Sequence, residues 1–124
     1  MSKIISNVLK VHDLLLKARA DFSRNKFEDG LNKMSEALDL MTDIREQLID
    51  LSRTASSVKT KVLAHGLIKF MDAMISKGTH FYQDVSYYYT IGEDVEKLRR
   101  KIMPKLDAII YVWNKSVMKY APKV

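Results

Sequence analysis

The stretch that decides the fold is residues 2–22, SKIISNVLKVHDLLLKARADF. Apolar side chains recur there at alternating intervals of four and three residues, in a seam formed by Ile4, Val8, Val11, Leu15, Ala18 and Phe22. Because an α-helix completes a turn every ~3.6 residues, this spacing places the whole seam on one side of a helix. Ile5, Leu9 and Leu16 widen the seam into the broad apolar stripe of a helix in a globular protein. The stretch is therefore predicted to be the first helix.

The next segment repeats the pattern from Lys26 to about Leu51, after a turn predicted at residues 23–25. Its apolar positions again step by four and three residues, at Phe27, Leu31, Met34, Leu38 and Met41. Gly30 lies beside this seam, although glycine costs about 1 kcal/mol relative to alanine inside a helix. We therefore expect a close helix contact at Gly30.

A third segment is apolar on more than one side, which is typical of a buried central helix. We expect it to begin after Thr54 or Ser56 as the N-cap and to stop at Gly78, in the left-handed position that commonly follows a helix. The aromatic residues 79–92 are then predicted to form a helical turn or a short helix that ends at Gly92.

The last segment runs from Glu93 to about Tyr120 and contains Pro104, which either kinks a helix or begins a new one. Short connections make consecutive helices antiparallel neighbours. The sequence thus predicts an all-α protein with a single domain over residues 1–124. The predicted architecture is an antiparallel up-down bundle of four helices, or of five if Pro104 splits the last one.

Composition limits the classes of protein to which the chain can belong. Hydrophobic residues make up 47% and charged residues 29% of a chain without cysteine, which is typical of a globular domain with no disulfide scaffold. Residues 1–10 lack the apolar run of a signal peptide, and no stretch reaches the roughly 18 apolar residues of a membrane span. We expect a soluble, cytoplasmic protein with no membrane insertion.

No motif in the sequence indicates catalysis. The three histidines, His12, His65 and His80, lack the spacing of a metal set, and there is no cysteine to complete one. Gly-rich phosphate loops, a nucleophile elbow and paired catalytic carboxylates are also missing. We therefore expect a protein that is not an enzyme, with no catalytic residue, cofactor, metal or small-molecule substrate.

The net charge of +6 is unevenly distributed along the chain. Residues 26–52 carry three basic and seven acidic side chains, a balance of −4, whereas residues 53–78 carry five basic and one acidic, a balance of +4. One interpretation is charge complementarity between the second and third helices. The other is a basic outer face that attracts phosphate groups.

A row of acidic residues is the first candidate binding surface. Glu36, Asp39, Asp43, Glu46 and Asp50 follow one another at helical spacings of three and four. Such a stripe is either a solvated helix face or a docking strip for a basic partner helix. The first functional hypothesis is therefore a non-catalytic interaction or assembly module that acts through an exposed helix face. Its partner would be another protein, or a second copy in self-association.

A basic cluster next to aromatic residues is the second candidate surface, formed by Arg99, Arg100 and Lys101 with Tyr87, Tyr88 and Tyr89. Exposed rings beside basic side chains can stack on bases while the cations hold phosphates. The alternative is that the tyrosines cap the end of the bundle and the basic residues are solvated. The second functional hypothesis is a nucleic-acid-binding helical protein.

Three short resemblances accompany these patterns. Residues 20–31 resemble a tetratricopeptide-type helical hairpin, although any tight antiparallel helix pair needs similar small residues. The surroundings of His65 resemble those of the phosphoacceptor in histidine-phosphotransfer bundles. Residues 64–70 and 111–115 resemble the small helical subunit of type III CRISPR effector complexes. That last resemblance implies a basic bundle in a ribonucleoprotein complex, lining an RNA-bearing filament.

Overall fold

The computed structural model describes the backbone of residues 2–124 and the side chains of residues 3–124. This part of the chain contains no strand and four α-helices: α1 (Ser2–Ser23), α2 (Phe27–Thr54), α3 (Val58–Thr90) and α4 (Val95–Trp113). A π-helical turn at Asn114–Met118 and a 3-10 turn at Ala121–Lys123 continue α4. The predicted all-α four-helix bundle is confirmed.

The helices surround one apolar core. Each helix contacts the next along the chain, and α4 returns to contact α1. All six residues of the α1 seam are buried, which confirms the helix predicted from the first stretch of sequence. No helix within residues 2–124 has both the length and the apolar character needed to cross a lipid bilayer.

Phe22 occupies the end of the core where α1 turns into α2. Its ring is fully buried, and its centroid lies 5.7 Å from that of Phe27 and 5.8 Å from that of Phe81. Gly30 lies against the same ring, because a Cβ atom at this position would stand 2.6 Å from the Phe22 Cε1 atom. The expected close contact at Gly30 is thus made by an aromatic ring of α1.

The prediction that the third helix stops at Gly78 is wrong. α3 is 33 residues long and continues past Gly78 to Thr90, and the residues predicted to form a separate turn or short helix are its last turns. A core seam crosses Gly78 with uninterrupted spacing, at Leu67, Met71, Met74, Gly78, Phe81 and Val85. Gly78 is buried because Leu38 of α2 packs against it, 2.8 Å from where a Cβ would lie. The expected end at Gly92 is confirmed by its φ of +80°.

The start of α3 also differs from the prediction. Its N-cap is Ser57, whose side chain accepts a hydrogen bond from the Thr60 amide at 3.4 Å, whereas Thr54 is still part of α2. The expectation of a buried central helix fails in the first turns, because Val58 and Val62 are 75% and 65% exposed. No other helix covers these turns on the outside.

Pro104 lies inside α4 and does not split it, so the bundle has four helices within the described residues. Asp94 caps the start of α4 by accepting a hydrogen bond from the Lys97 amide at 3.0 Å. The predicted last helix changes character after Trp113, where the backbone widens into the π-helical turn. This wider turn keeps Trp113, Ser116 and Val117 all buried against the other helices.

Three ion pairs connect neighbouring helices in the described part of the chain: Arg19–Asp107, Lys33–Asp21 and Arg45–Asp72. The pairs Arg19–Asp107 and Arg45–Asp72 are exposed, and exposed pairs each contribute about 0.2–1 kcal/mol, whereas Lys33–Asp21 is partly buried. The hydrogen bond from Lys33 to Asp21 raises the pKa of the Lys33 ammonium. A raised pKa in the folded state means that this pair stabilises the protein at neutral pH and is lost as the pH rises through the raised value.

The pairing between α2 and α3 is the reverse of the predicted charge complementarity. The ion pair that joins them places the cation, Arg45, on acidic α2 and the carboxylate, Asp72, on basic α3, with 2.5 Å between Nε and Oδ1. The remaining acids of α2 and lysines of α3 enter no α2–α3 ion pair among the described residues. Their charges are therefore presented to solvent.

We predict opposite effects on stability from the same substitution at two glycines. Gly30→Ala should lower the free energy of unfolding by about 1 kcal/mol, because overpacking against the Phe22 ring costs about 1–3 kcal/mol and the helix preference of alanine offsets about 1 kcal/mol of that. Gly66→Ala should raise it by up to about 1 kcal/mol, because a Cβ there meets no atom within 4 Å.

Urea unfolding followed by circular dichroism measures both values. Equal shifts of the two midpoints in the same direction would contradict the contact between Gly30 and Phe22.

Candidate functional site

The residues predicted to bind nucleic acid lie together at one end of the bundle. This is the end where α1 turns into α2 and α3 turns into α4. Tyr87, Tyr88 and Tyr89 lie on the last turn of α3, and Arg99, Arg100 and Lys101 lie on α4. The contacts of each side chain determine whether it can reach a nucleic acid.

Arg99 is committed to contacts within the protein. Its Nη1 atom donates to the Ser23 carbonyl oxygen at 3.5 Å and to the Asn25 Oδ1 atom at 3.4 Å, and its Nη2 atom pairs with Glu96. Asn25 stands at the centre of the α1–α2 turn with a φ of +62°, a backbone conformation that asparagine tolerates. The Arg99 guanidinium thus fastens this turn to α4. Arg100, in contrast, is exposed.

Two of the three tyrosine rings are also occupied. Tyr89 stacks on Phe27 with 5.2 Å between centroids and 16° between the ring planes. The Lys101 ammonium lies 3.9 Å from the centroid of Tyr88. Tyr87 touches the Tyr88 ring in an edge-on contact and is 61% exposed. Because base stacking needs an open ring face, Tyr87 is the ring best placed for it.

The electrostatic surroundings of this end are mixed rather than basic. Residues 93–101 contain three acidic and four basic side chains, and Glu96 neutralises Arg99 directly. The basic residues at the start of α3 lie far away, since Lys59 and Tyr88 are separated by roughly 40 Å along the helix. The two basic groups of the chain therefore do not combine into one phosphate-binding surface.

The acidic stripe lies on the outer side of α2. Its five members are all exposed, and none of them forms an ion pair among residues 3–124: Glu36, Asp39, Asp43, Glu46 and Asp50. Its C-terminal half borders a shallow polar depression shared with Lys3 and Asn7 of α1. The described part of α2 has no large exposed apolar side chain. The stripe therefore has charge without an apolar anchor.

An apolar groove at the start of α3 was missed in the sequence. It is a depression of about 160 Å³ lined by Val62, Leu63, Gly66, Leu67, Phe70 and Tyr120. Its far end is closed by the ring of Tyr120, which stacks on Phe70 with 6.1 Å between centroids. The signal was the spacing of four residues that joins Val58, Val62, Gly66 and Phe70 along the exposed side of α3. This row did not stand out in the sequence, because the whole segment is apolar on several sides.

A second depression, of about 300 Å³, lies between α3 and α4. Apolar side chains form its floor and polar ones its rim, the floor being Phe81, Ala108, Ile109 and Val112 and the rim Lys77, His80, Asp84 and Lys105. One histidine and one carboxylate do not make a nucleophile with its base. The described residues also hold no group of three side chains suited to bind a metal ion.

Comparisons of the chain with known protein families, with characterised proteins and with solved structures find no match.

We predict that Tyr87 and Tyr89 contribute differently to stability. Tyr89→Leu should lower the free energy of unfolding by about 0.5–1.5 kcal/mol, because it removes the ring stacked on Phe27. Tyr87→Leu should change it by less than about 0.5 kcal/mol, because most of that side chain is in solvent. Thermal unfolding of the two variants provides the measurement, and a larger loss in Tyr87→Leu would show that the contacts of the two rings are misassigned.

Proposed function

We propose that this protein is a non-catalytic interaction module that binds another protein through the exposed face of α3 between Val58 and Phe70. The observation that carries the proposal is the exposure of Val58 and Val62, at 75% and 65%, beside an open apolar groove. Neighbouring apolar side chains left in water on one face are typical of a surface that another molecule covers.

The shape of this face favours a protein partner. Apolar side chains spaced by about one turn form a ridge along α3, and Leu63, Leu67 and Tyr120 provide the floor and end of a groove beside it. Grooves of this kind accept the apolar side of a helix. Gly66 adds a second reason to expect a partner. A Cβ at this position would meet no atom within 4 Å, so the packing of the fold does not require a glycine there.

The acidic stripe of α2 has a secondary role in this proposal. Exposed charges without an apolar anchor accelerate and orient an encounter more than they contribute to affinity. Basic side chains on a different part of the partner would therefore use Glu36 to Asp50 for steering, while the α3 groove provides the buried contact. The cytoplasmic location expected from composition remains part of the proposal.

Nucleic-acid binding is the alternative function. It depends on Arg100 and Tyr87, because Arg99, Tyr88 and Tyr89 are engaged in contacts inside the protein. At this end of the bundle, two available side chains in a mixed-charge region can do little to hold a phosphate backbone. This weighs for the protein-binding proposal and against a role in a ribonucleoprotein complex of the CRISPR effector type.

A photo-crosslinker at position 62 tests the proposed function. We expect p-benzoylphenylalanine in place of Val62, in the native cell, to form one defined product with another protein. The same group in place of Gln83, near the other end of α3, is the matched control, since both positions are exposed surface of the same helix. Mass spectrometry identifies the product, and the purified partner should bind the wild-type chain but not Val62→Glu. No product at position 62, or equal products at both positions, would reject the proposal.

A salt titration distinguishes the alternative. Binding to single-stranded RNA should be weak at 50 mM salt and absent at 200 mM, and it should not change in Arg99→Ala/Arg100→Ala. Fluorescence anisotropy measures it, with thermal unfolding as a control for the loss of the Arg99 contacts. Submicromolar RNA affinity that falls at least tenfold in a folded double variant would favour the nucleic-acid function instead.

A further inference from the structure

We infer that the occupant of the α3 groove is an amphipathic helix with acidic flanks that belongs to a different protein. This inference rests on the proposed function and adds the chemistry of the partner. It follows from three properties of the face between Val58 and Phe70: the shape of the groove, the charge around it, and the lack of a matching surface on the chain itself.

The face around the groove has the length that a short helix needs. It lies between the first turns of α3 and the C-terminal turns of the chain, and the Phe70–Tyr120 stack closes one end. The exposed stretch of α3 from Val58 to Phe70 is roughly 18 Å long, which corresponds to about three turns of a partner helix. Gly66 lies in the middle of this stretch with open space above it, so that a partner backbone can approach closely.

The charge around the groove has one sign. No acidic residue occurs between Asp50 and Asp72, or after Asp107, so both chain segments that form the groove carry basic side chains alone. The exposed lysines of these segments that form no ion pair in the described residues are Lys59, Lys61, Lys69, Lys115, Lys119 and Lys123. Two of them, Lys119 and Lys123, lie 5.4 and 5.2 Å from the Tyr120 ring that closes the groove.

An apolar groove between basic walls is complementary to a helix with an apolar face and carboxylates on either side. Leucine-like side chains at intervals of three and four residues would fill the floor around Leu63 and Leu67. Glutamate or aspartate on the flanks would meet the lysines of both walls. Each such pair adds little affinity by itself, but together they discriminate against a basic helix, which the walls repel.

A second copy of this chain does not fit the groove. The acidic stripe of α2 has the required charge, but it has no exposed large apolar side chain to fill the floor. The exposed apolar residues of α1, Leu9 and Leu16, have the required character, but the carboxylate beside them, Asp13, already pairs with Lys17 at 2.9 Å. Neither helix combines an exposed apolar stripe with free carboxylates along its flanks, which favours another protein as the partner.

Three designed peptides test this inference with the purified full-length protein. The first is an 18-residue helical peptide with leucines at helical spacing and glutamates on both flanks. The second replaces each glutamate by lysine, and the third keeps the acidic composition but scrambles the order. We expect the acidic amphipathic peptide to bind with a micromolar Kd by fluorescence anisotropy, and the other two to bind at least tenfold more weakly.

Two matched variants locate the binding site. Val62→Glu should weaken binding of the acidic peptide at least tenfold, whereas Leu9→Glu, at another exposed apolar position, on α1, should leave its affinity within twofold of wild type. Circular dichroism verifies that both variants are folded. In NMR spectra, the peptide should shift the amide resonances of α3 between residues 58 and 70 and those of the C-terminal turns.

Each contrary result overturns the inference in a recognisable way. Equal affinity for the acidic and basic peptides would remove the charge argument, and equal affinity for the scrambled peptide would remove the groove. A dimeric mass in solution that Val62→Glu converts to a monomer would make a second copy the occupant. Binding of the protein to anionic vesicles, lost in Val62→Glu, together with no peptide binding, would make a membrane the occupant.

The inference and the proposed function fail separately. If position 62 crosslinks a protein in the cell but the acidic peptide does not bind, the partner chemistry is wrong while the interaction role stands. If position 62 captures nothing and no peptide binds, both are wrong.

Discussion

The burial of apolar side chains spaced by three and four residues is the interaction on which the rest of the structure depends. The α1 seam is covered by α2 on one side and by α4 on the other, and Phe22 joins it to the aromatic end of the core through Phe27 and Phe81. Residues without a large side chain are placed where this core is tightest. Gly30 makes room for the Phe22 ring, and Gly78 makes room for Leu38.

The charges of the bundle contribute little to holding its helices together. Among the described residues, few ion pairs join the helices, and the one between α2 and α3 opposes the overall charge of both. Exposed pairs contribute little to folding. The acidic outer side of α2 and the lysines of α3 and of the C-terminal turns therefore stay exposed to solvent.

The two ends of the molecule differ in whether their surface side chains have contacts within the chain. At the end formed by the α1–α2 turn, Arg99, Lys101 and Tyr89 are tied to groups of the same chain, so residues that resemble a binding surface in sequence serve the fold. At the opposite end, the first turns of α3 have no helix over Val58 and Val62. That contrast is the reason for assigning the interaction role to α3.

The sequence by itself determined the helical class, the bundle, the core seam of α1 and the turn at residue 25, because these depend on local spacing and local backbone preference. It also located the exposed acidic stripe of α2. Tertiary structure alone decided that Gly78 lies inside a helix, because Leu38 of another helix packs on it. It likewise decided which surface side chains have contacts within the chain. Arg99 and Tyr89 contact residues of distant segments, whereas Val62 is left exposed. Contacts between residues far apart in the chain leave no periodic signal. The apolar row of α3 is visible in the sequence as a spacing of four residues, but the groove that this row forms with Tyr120 is not.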